Sequence, residues 1–482
     1  MLDPENYTVA CQLFIRLLGL IYFFAFFPFL FQIRGLIGKN GILPVKAFLN
    51  RIHLALGRRS YYRLPTLFWF NCSDRALMAV VITGTLLSIA LLFGVYPALL
   101  LPLLMILYIS IISVGQDFLS FGWEMFLMEI TANAILLSWT TTPNLFAWLS
   151  VNLLVARFHL QSGAVKLQSG DRNWHKLTAL HYHYQTQPIP NTTAWFFHHT
   201  PSWFKKFSCG MMFFIELVMP IFVFANAELR LITFLSFAGL QYFIWLTGNF
   251  SYLNSMSVVL SVVLISNGYF GAPASAARAF GLADALASIG GVTLLSLQLM
   301  RLWTHFFPNP LFSHILSWVS PFHIANRYGI FAIMTTKRYE IVVEGSDDGV
   351  VWKEYLFKHK PSEVSRRPRR ISPYQPRIDW QAWFLPFSSY QAEPWFQSFL
   401  KHLLKGTPEV LKLLRSNPFP ERPPNYIRAI AYDYVYSDWG DKDWWKRTYM
   451  GSYSPVLSNT NFGKQQALEA HIIEPPKPGG LT

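Results

Sequence analysis

Charged side chains are scarce in this sequence of 482 residues: they make up 14% of it, whereas 52% of the residues are hydrophobic. Soluble globular domains carry about 25% charged residues, so the composition excludes an ordinary soluble protein. It favours a polytopic membrane protein instead.

Cysteines are also rare, because Cys11, Cys72 and Cys209 are the only three in the chain. Three cysteines cannot make a disulfide framework. The sequence has no CxxC or HExxH motif of the kind that binds zinc, so we predict neither a metal site nor another cofactor.

Acidic residues are outnumbered, with 26 Asp and Glu against 40 Lys and Arg, which gives a net charge of +14. The excess lies mainly in residues 34–76 and in the C-terminal third. Loops of this kind contact anionic lipid headgroups, so we expect membrane lipids as partners and no nucleic acid. The positive-inside rule predicts a cytoplasmic loop 34–76. With nine crossings the C-terminal part would lie on the same side, and with eight it would lie on the opposite side, so the number of runs does not fix its orientation.

Long apolar runs fill the first 305 residues, and a helix needs about 20 apolar residues to cross a membrane. The runs predict about six to nine transmembrane helices, with long loops at 34–76 and 161–206. The nine candidates are 11–33, 77–94, 96–114, 120–139, 144–160, 207–226, 229–247, 252–266 and 285–303.

The pattern changes after residue 327, where apolar and polar residues alternate on either side of Ser346 to Gly349. This alternation predicts a β-hairpin. Further strands are predicted at 425–436 and 444–457, and a helical insertion near 391–415. We therefore expect a β-rich, water-facing domain over 327–460 and a disordered tail over 461–482.

The stretch 162–201 concentrates basic and aromatic side chains between two apolar segments. Lys166 in this stretch is either a shielded general base or a lysine whose amine reaches water at a helix end. If the protein is an enzyme, Glu124 and Asp117 are the candidate proton carriers beside it. Alternatively, these two acids and Glu129 form buried ion pairs with Arg16, Arg157 or Lys166 that hold helices in register.

Other polar side chains predicted at membrane depth or at its edge would line the same inward pocket. The histidines among them could bind carbonyls or headgroups, and a metal is the less favoured interpretation. The predicted pocket residues are Arg157, Trp174, His181, His183, His198, His199, Glu216, Asn249 and Asn254.

Several motifs resemble those of the lipase maturation factor family. They include GQDFLSFGWE at 115–124, WHKLTALHYHYQTQPIPN at 174–191, WFFHHTP at 195–201, GNFSYLN at 248–254 and PRIDWQAWF at 376–384. The resemblance implies a multi-pass membrane protein that helps client proteins mature, namely lipases folding in the endoplasmic reticulum of eukaryotes. It also implies a lumenal C-terminal domain. A bacterial homologue would lie in the inner membrane.

Under this interpretation the exposed tryptophans of the C-terminal domain bind the clients, because tryptophan is frequent at interface hot spots. The alternative is that several of them fill the core of the domain. The candidates are Trp380, Trp383, Trp395 and Trp439, with Trp444 and Trp445 beside them.

A second resemblance concerns GAVKL at 163–167, followed by Trp174. It is similar to the segment that carries the catalytic lysine of vitamin K-dependent glutamyl carboxylase and its bacterial relatives. The resemblance implies a membrane enzyme in which Lys166 acts as a base on a lipid, a quinone or a peptide. The maturation factor without enzymatic activity remains the leading hypothesis.

Overall fold

The computed structural model describes residues 3–275, 279–329 and 331–459, so the predicted disordered tail lies outside the described residues. The α-helices are α1 (Thr8–Phe26), α2 (Phe29–Ile37), α3 (Val45–Leu56), α4 (Arg59–Arg63), α5 (Asp74–Leu92), α6 (Pro97–Val114), α7 (Gly122–Ser138), α8 (Leu145–Gln168), α9 (Arg172–His175), α10 (Leu180–Thr186), α11 (Thr192–His198), α12 (Ser202–Leu217), α13 (Ala227–Thr247), α14 (Leu253–Ser261), α15 (Leu282–Phe306), α16 (Pro310–Val319), α17 (Arg377–Ala382), α18 (Pro394–Leu404) and α19 (Pro408–Leu411). The strands are β1 (Tyr339–Ser346), β2 (Lys353–Tyr355), β3 (Tyr426–Tyr436), β4 (Trp445–Ser452) and β5 (Leu457–Ser458).

Six helical segments among the described residues are long and apolar enough to cross a membrane. The prediction of a polytopic membrane protein is therefore confirmed. These segments are Pro4–Phe26, Asp74–Leu92, Pro97–Val114, Ser202–Phe224, Ala227–Thr247 and Leu282–Phe306.

Helices α7 and α8 correspond to two further predicted spans, and they lie in the interior of the helix bundle. Glu124 and Glu129 of α7 and Arg157 of α8 are fully buried. Ionisable side chains inside a membrane bundle face one another and avoid lipid. The two helices with the most buried charge are thus enclosed by the more apolar ones.

Two predicted spans are shorter than their apolar runs. The run 11–33 divides at Pro28 into α1 and α2, and Gln32 of α2 donates to the Gln375 carbonyl at 2.9 Å. The run 252–266 forms the nine-residue helix α14 followed by a 3-10 helix at Val262–Leu264. Apolarity alone did not show that α2 packs against the C-terminal part.

Both long loops and the C-terminal part lie at the same end of the bundle, which we call the loop face. Ser398 donates to the Ile42 carbonyl at 2.6 Å, and Arg338 donates to the Gln185 carbonyl at 3.0 Å. At the opposite end, Tyr7 packs against Trp148, with their ring centroids 5.1 Å apart. The chain therefore places its large extramembrane segments on one side.

The C-terminal part is built on an antiparallel sheet with the strand order β2-β1-β3-β4, and β5 pairs with β3. In the hairpin of β1 and β2, Val343 pairs with Tyr355. The Asp348 carboxylate accepts from the backbone N–H groups of Val350 and Val351 at the turn. The prediction of a β-rich C-terminal part is confirmed, and α18 lies within the predicted helical stretch.

The cores of the membrane part and of the C-terminal part are continuous. The buried hydrophobic cluster that contains Phe14 of α1 also contains Phe399 of α18. At the junction, Phe118 and Trp395 pack edge to face with their ring centroids 5.7 Å apart. The C-terminal part is consequently packed onto the bundle as one body with it.

Candidate functional site

Lys166, in the last turn of α8, forms an ion pair with Glu216 of α12. Its Nζ atom lies 2.6 Å from Glu216 Oε2 and 3.0 Å from the Ser162 carbonyl, and 5.6 Å from the ring centroid of Trp174. Both side chains are almost fully buried. The carboxylate compensates the ammonium, so this geometry does not resemble that of an unpaired lysine that acts as a base.

The pair lies on the wall of a cavity of about 420 Å³ between α8, α12 and α13. Beside Lys166, four of the predicted pocket residues line this cavity: Trp174, His183, Glu216 and Asn254. Most of the remaining wall consists of Phe, Leu, Met and Ile side chains. The cavity is therefore suited to an apolar molecule, with a few polar atoms to orient it.

Apart from hydroxyl-bearing side chains, two polar residues of the wall were not among the predicted pocket residues. His159 of α8 stacks on Phe237, with 3.6 Å between the ring centroids, and Gln241 of α13 accepts from Asn254 Nδ2 at 2.8 Å. Both residues interrupt apolar runs. A polar residue in the middle of such a run was the signal that could have identified them.

Glu124 does not lie beside Lys166, which corrects its predicted role as a proton carrier there. Its carboxylate accepts from Arg377 of α17, from Tyr108, from Tyr252 at 2.7 Å and from Trp123 Nε1 at 2.8 Å. The Arg377 side chain is also fully buried. The counter-charge of Glu124 thus comes from the C-terminal part.

Arg157 is likewise absent from the cavity wall, because it is paired with Glu129 inside the bundle. The same carboxylate accepts from the Asn326 N–H at 2.8 Å and from the Tyr328 hydroxyl at 2.5 Å. Arg157 also donates to the Asn326 carbonyl at 2.6 Å. This network fixes the segment that leads from the bundle to the sheet.

Asn249 and Asp117 do not line the cavity either. The Asn249 amide donates to the carbonyls of Ile189 and Arg369, at 3.1 and 3.0 Å. It accepts from the N–H groups of Ile371 and Ser372, at 2.8 and 3.1 Å. It therefore attaches the C-terminal segment to the loop face. The Asp117 side chain is exposed, which does not support its predicted role beside Lys166.

The histidines do not form one group. His181 bonds to the Ser202 hydroxyl at 2.9 Å and His199 to the Trp195 carbonyl at 2.8 Å, while the His198 ring faces Tyr436 at 5.3 Å. Burial, together with nearby Lys205, lowers the pKa of His198 to about 4. The described ranges contain no cluster of three His, Cys, Asp or Glu residues that could hold a metal.

The predicted client-binding tryptophans separate into two sets. Trp380 and Trp395 are buried where the C-terminal part meets the bundle, as is Trp445 in the sheet core, so these three are packing residues. Trp383 is half-buried and donates to the Thr186 carbonyl at 2.8 Å. Trp439 is exposed over 62% of its surface and packs against Trp195 at 4.6 Å.

Comparisons with known proteins cover both parts of the chain. A family model described as the lipase maturation factor transmembrane domain matches residues 9–272, and one described as its C-terminal domain matches residues 324–455. No solved structure matches the chain.

Similar proteins occur in vertebrates. Lipase maturation factor 1 of Bos taurus is 32% identical over 92% of this chain and 88% of its own length. The Homo sapiens protein of the same name is also 32% identical, over 92% and 87%. Lipase maturation factor 2 of Xenopus laevis is 29% identical over 94% and 83%. With both family models matched in order along the chain, this protein belongs to the lipase maturation factor family.

Proposed function

We propose that this chain is a membrane-embedded maturation factor that assists the folding or assembly of lipases. The observation that carries the proposal is the similarity to proteins named for lipase maturation over nine-tenths of the chain. In this proposal residues 1–305 are the membrane anchor, and residues 327–460 are the part that meets the client.

The buried Arg377–Glu124 ion pair and the Asn249 hydrogen bonds support a division of labour of this kind. They attach residues 369–377 of the C-terminal part to the bundle. A rigidly mounted surface binds with a smaller loss of conformational entropy than a tethered, mobile one.

We propose that clients contact an exposed aromatic patch at the β3–β4 turn, made of Phe196, Trp439 and the rim of Trp195. Phe196 and Trp439 lie 5.6 Å apart between ring centroids, and both are exposed. Exposed neighbouring aromatic rings are typical of protein-binding surfaces. Client proteins other than lipases would be bound through the same exposed aromatic rings.

The experiment uses cells that lack their own lipase maturation factors and secrete a reporter lipase. Expression of the chain should restore secreted lipase activity, and W439A and F196A should reduce it several-fold at unchanged protein level. The matched control is W303A, since Trp303 is an exposed tryptophan on α15. Failure of the unaltered chain to restore any activity would contradict the proposed function.

We infer further that the protein resides in the endoplasmic reticulum membrane with the loop face in the lumen. The inference rests on the vertebrate relatives and on the family resemblance, and it opposes the positive-inside rule for residues 34–76. The variant D441N/D443T creates an Asn-Lys-Thr acceptor at an exposed turn on this face. Glycosylation there is expected. A second acceptor, placed on an N-terminal extension, lies on the opposite side of the membrane. Glycosylation of this second acceptor alone would contradict the orientation.

A further inference from the structure

The cavity beside Lys166 borders the lipid-facing surface of the bundle. Phe207 of α12 and Leu235 and Phe243 of α13 line it, and all three are exposed on the outer side of these helices. In a bilayer, this outer side meets lipid chains. A molecule dissolved in the bilayer can therefore reach the cavity without crossing water.

The charges on the cavity wall compensate one another. Lys166 and Glu216 are the only Lys, Arg, Asp or Glu residues of its described lining, and they are paired at 2.6 Å. A ligand with a charged headgroup would have to break this pair or leave its own charge uncompensated, which is costly at low dielectric. The wall therefore selects an uncharged ligand.

Two side chains of the wall each carry a buried acceptor atom without a partner. The Nδ1 atom of His159 faces the Val155 carbonyl at 3.0 Å, so it carries the proton and Nε2 keeps a lone pair. Asn254 uses its amide N–H on Gln241, and its Oδ1 has no partner. His159 Nε2 has none either. Both acceptors would be satisfied by a hydroxyl donor, and orphaned buried polar atoms require such an explanation.

We propose that this cavity binds a neutral, hydroxyl-bearing lipid from the bilayer. Its apolar body occupies the wall formed by α12 and α13, and its hydroxyl donates to His159 or Asn254. The volume of about 420 Å³ lies within the range of small-molecule sites, about 300–1,000 Å³, and suits one acyl chain with a small polar head.

The test uses the full-length protein in phosphatidylcholine vesicles with photoactivatable lipids of equal chain length. A monoacylglycerol probe should label the protein at saturation once per chain, on peptides of α12 or α13. Two control probes are the matching fatty acid, which is anionic, and the matching alkane, which lacks a hydroxyl. Each should label the protein at least about fivefold less than the monoacylglycerol, because the loss of one hydrogen bond has about this effect on affinity.

Gly239 of α13 offers a clean way to block the site. It lines the cavity, and a Cβ atom built on it meets no atom within 4 Å, so the side chain of G239F leaves the helix into open space and its ring occupies part of the cavity. This variant should lose about tenfold or more of the monoacylglycerol labelling. The control I232F adds the same ring on α13 at an exposed position that does not line the cavity, and it should label normally.

The variant H159F keeps the ring that stacks on Phe237 but removes the acceptor atom. It should lower the ratio of monoacylglycerol labelling to alkane labelling. Equal labelling by all three probes, or unchanged labelling of G239F, would overturn the proposal. Since the readout is lipid labelling alone, its failure is distinguishable from failure of the maturation activity.

Discussion

Arg377 donates a hydrogen bond to the Glu124 carboxylate, although 253 residues separate the two in the chain. Glu124 lies on helix α7 within the bundle, and Arg377 lies in α17 of the C-terminal part. The Gln32 amide oxygen accepts from the Arg377 backbone N–H at 2.8 Å, which fixes the position of the arginine. This pair is the principal electrostatic connection between the two halves.

Removing either partner of this pair is expected to destabilise the protein strongly. R377M and E124M each leave one buried charge uncompensated, which costs about 3–5 kcal/mol. The double variant should be more stable than either single variant, because it leaves no charge unpaired. Thermal unfolding in detergent measures the stability of the two single variants and of the double variant.

The control is R415A, which breaks a half-exposed ion pair with Glu363 and should lower the free energy of unfolding by less than about 1 kcal/mol. A double variant as unstable as the sum of the singles would contradict the prediction.

Variants of Lys166 distinguish an ion pair that supports the fold from a catalytic base. K166R keeps a positive charge beside Glu216 and should retain most of the lipase maturation activity, whereas K166M should lose it together with protein level. The double variant K166M/E216M should recover both, since a neutral pair leaves no buried charge. Full protein level without activity in K166R and in the double variant would instead favour catalysis by the lysine.

Gly19 sets the closest approach of α1 and α5. A Cβ atom at this position would lie 2.5 Å from the Leu92 backbone nitrogen and 2.7 Å from the Ser88 carbonyl oxygen. G19A should therefore push the helices apart and cost about 1–3 kcal/mol, seen as a lower unfolding temperature. G122A is the control, because its Cβ atom would meet nothing within 4 Å. An unchanged midpoint for G19A would argue against this packing.

Asn249 holds a basic segment of the C-terminal part against the bundle, and we expect it to limit proteolysis there. Its amide makes four hydrogen bonds, three of them to residues 369–372, which follow Arg366 and Arg367. N249A should free this segment, and limited trypsin digestion should then cut the chain near residues 366–370 several-fold faster. N425A, which removes one exposed hydrogen bond to Asp347, should leave the cleavage rate unchanged. Equal rates in both variants would contradict the role assigned to Asn249.

The stability of the loop face should fall in mild acid because of His198. Burial, with nearby Lys205, His199 and His181, lowers its folded-state pKa to about 4, below the unfolded value of about 6.5. Between these two pKa values the unfolded state therefore binds more protons than the folded state. The contribution of neutral His198 to the free energy of unfolding is complete above pH 6.5 and is lost as the pH falls toward 4. H198F should reduce the fall in unfolding temperature between pH 7 and pH 5. H314F, which replaces an exposed histidine, should leave this fall unchanged. Parallel profiles for H198F and the unaltered protein would contradict this.

Composition and apolar runs were sufficient to predict the membrane class, and alternation was sufficient to predict the β1–β2 hairpin. Both signals are local, since they depend on neighbouring residues alone. The partners of the buried charges were not predictable in this way. Arg157 was one of three basic residues expected to pair with the acids of this region, and it does pair with Glu129. The partner of Glu124, however, is Arg377, which lies in a distant segment of soluble composition.

The histidine-rich stretch shows the same limit. His183 lines the cavity, whereas His181, two residues earlier on α10, lies on another face of that helix. His198 lies on α11 and faces Tyr436. Proximity in sequence therefore identified the correct region but only part of the cavity wall. Resemblance to a family identified the class of protein, which the distribution of charges could not do.

The long separation of Glu124 from its partner also governs the order of events during synthesis. A ribosome adds about 5–20 residues per second, so roughly 13–50 s pass between the emergence of the two residues. During this interval the carboxylate depends on Tyr108 and Trp123 alone for hydrogen bonds from α6 and α7, until Tyr252 follows. The newborn helices can reach their final arrangement only after translation has passed residue 377.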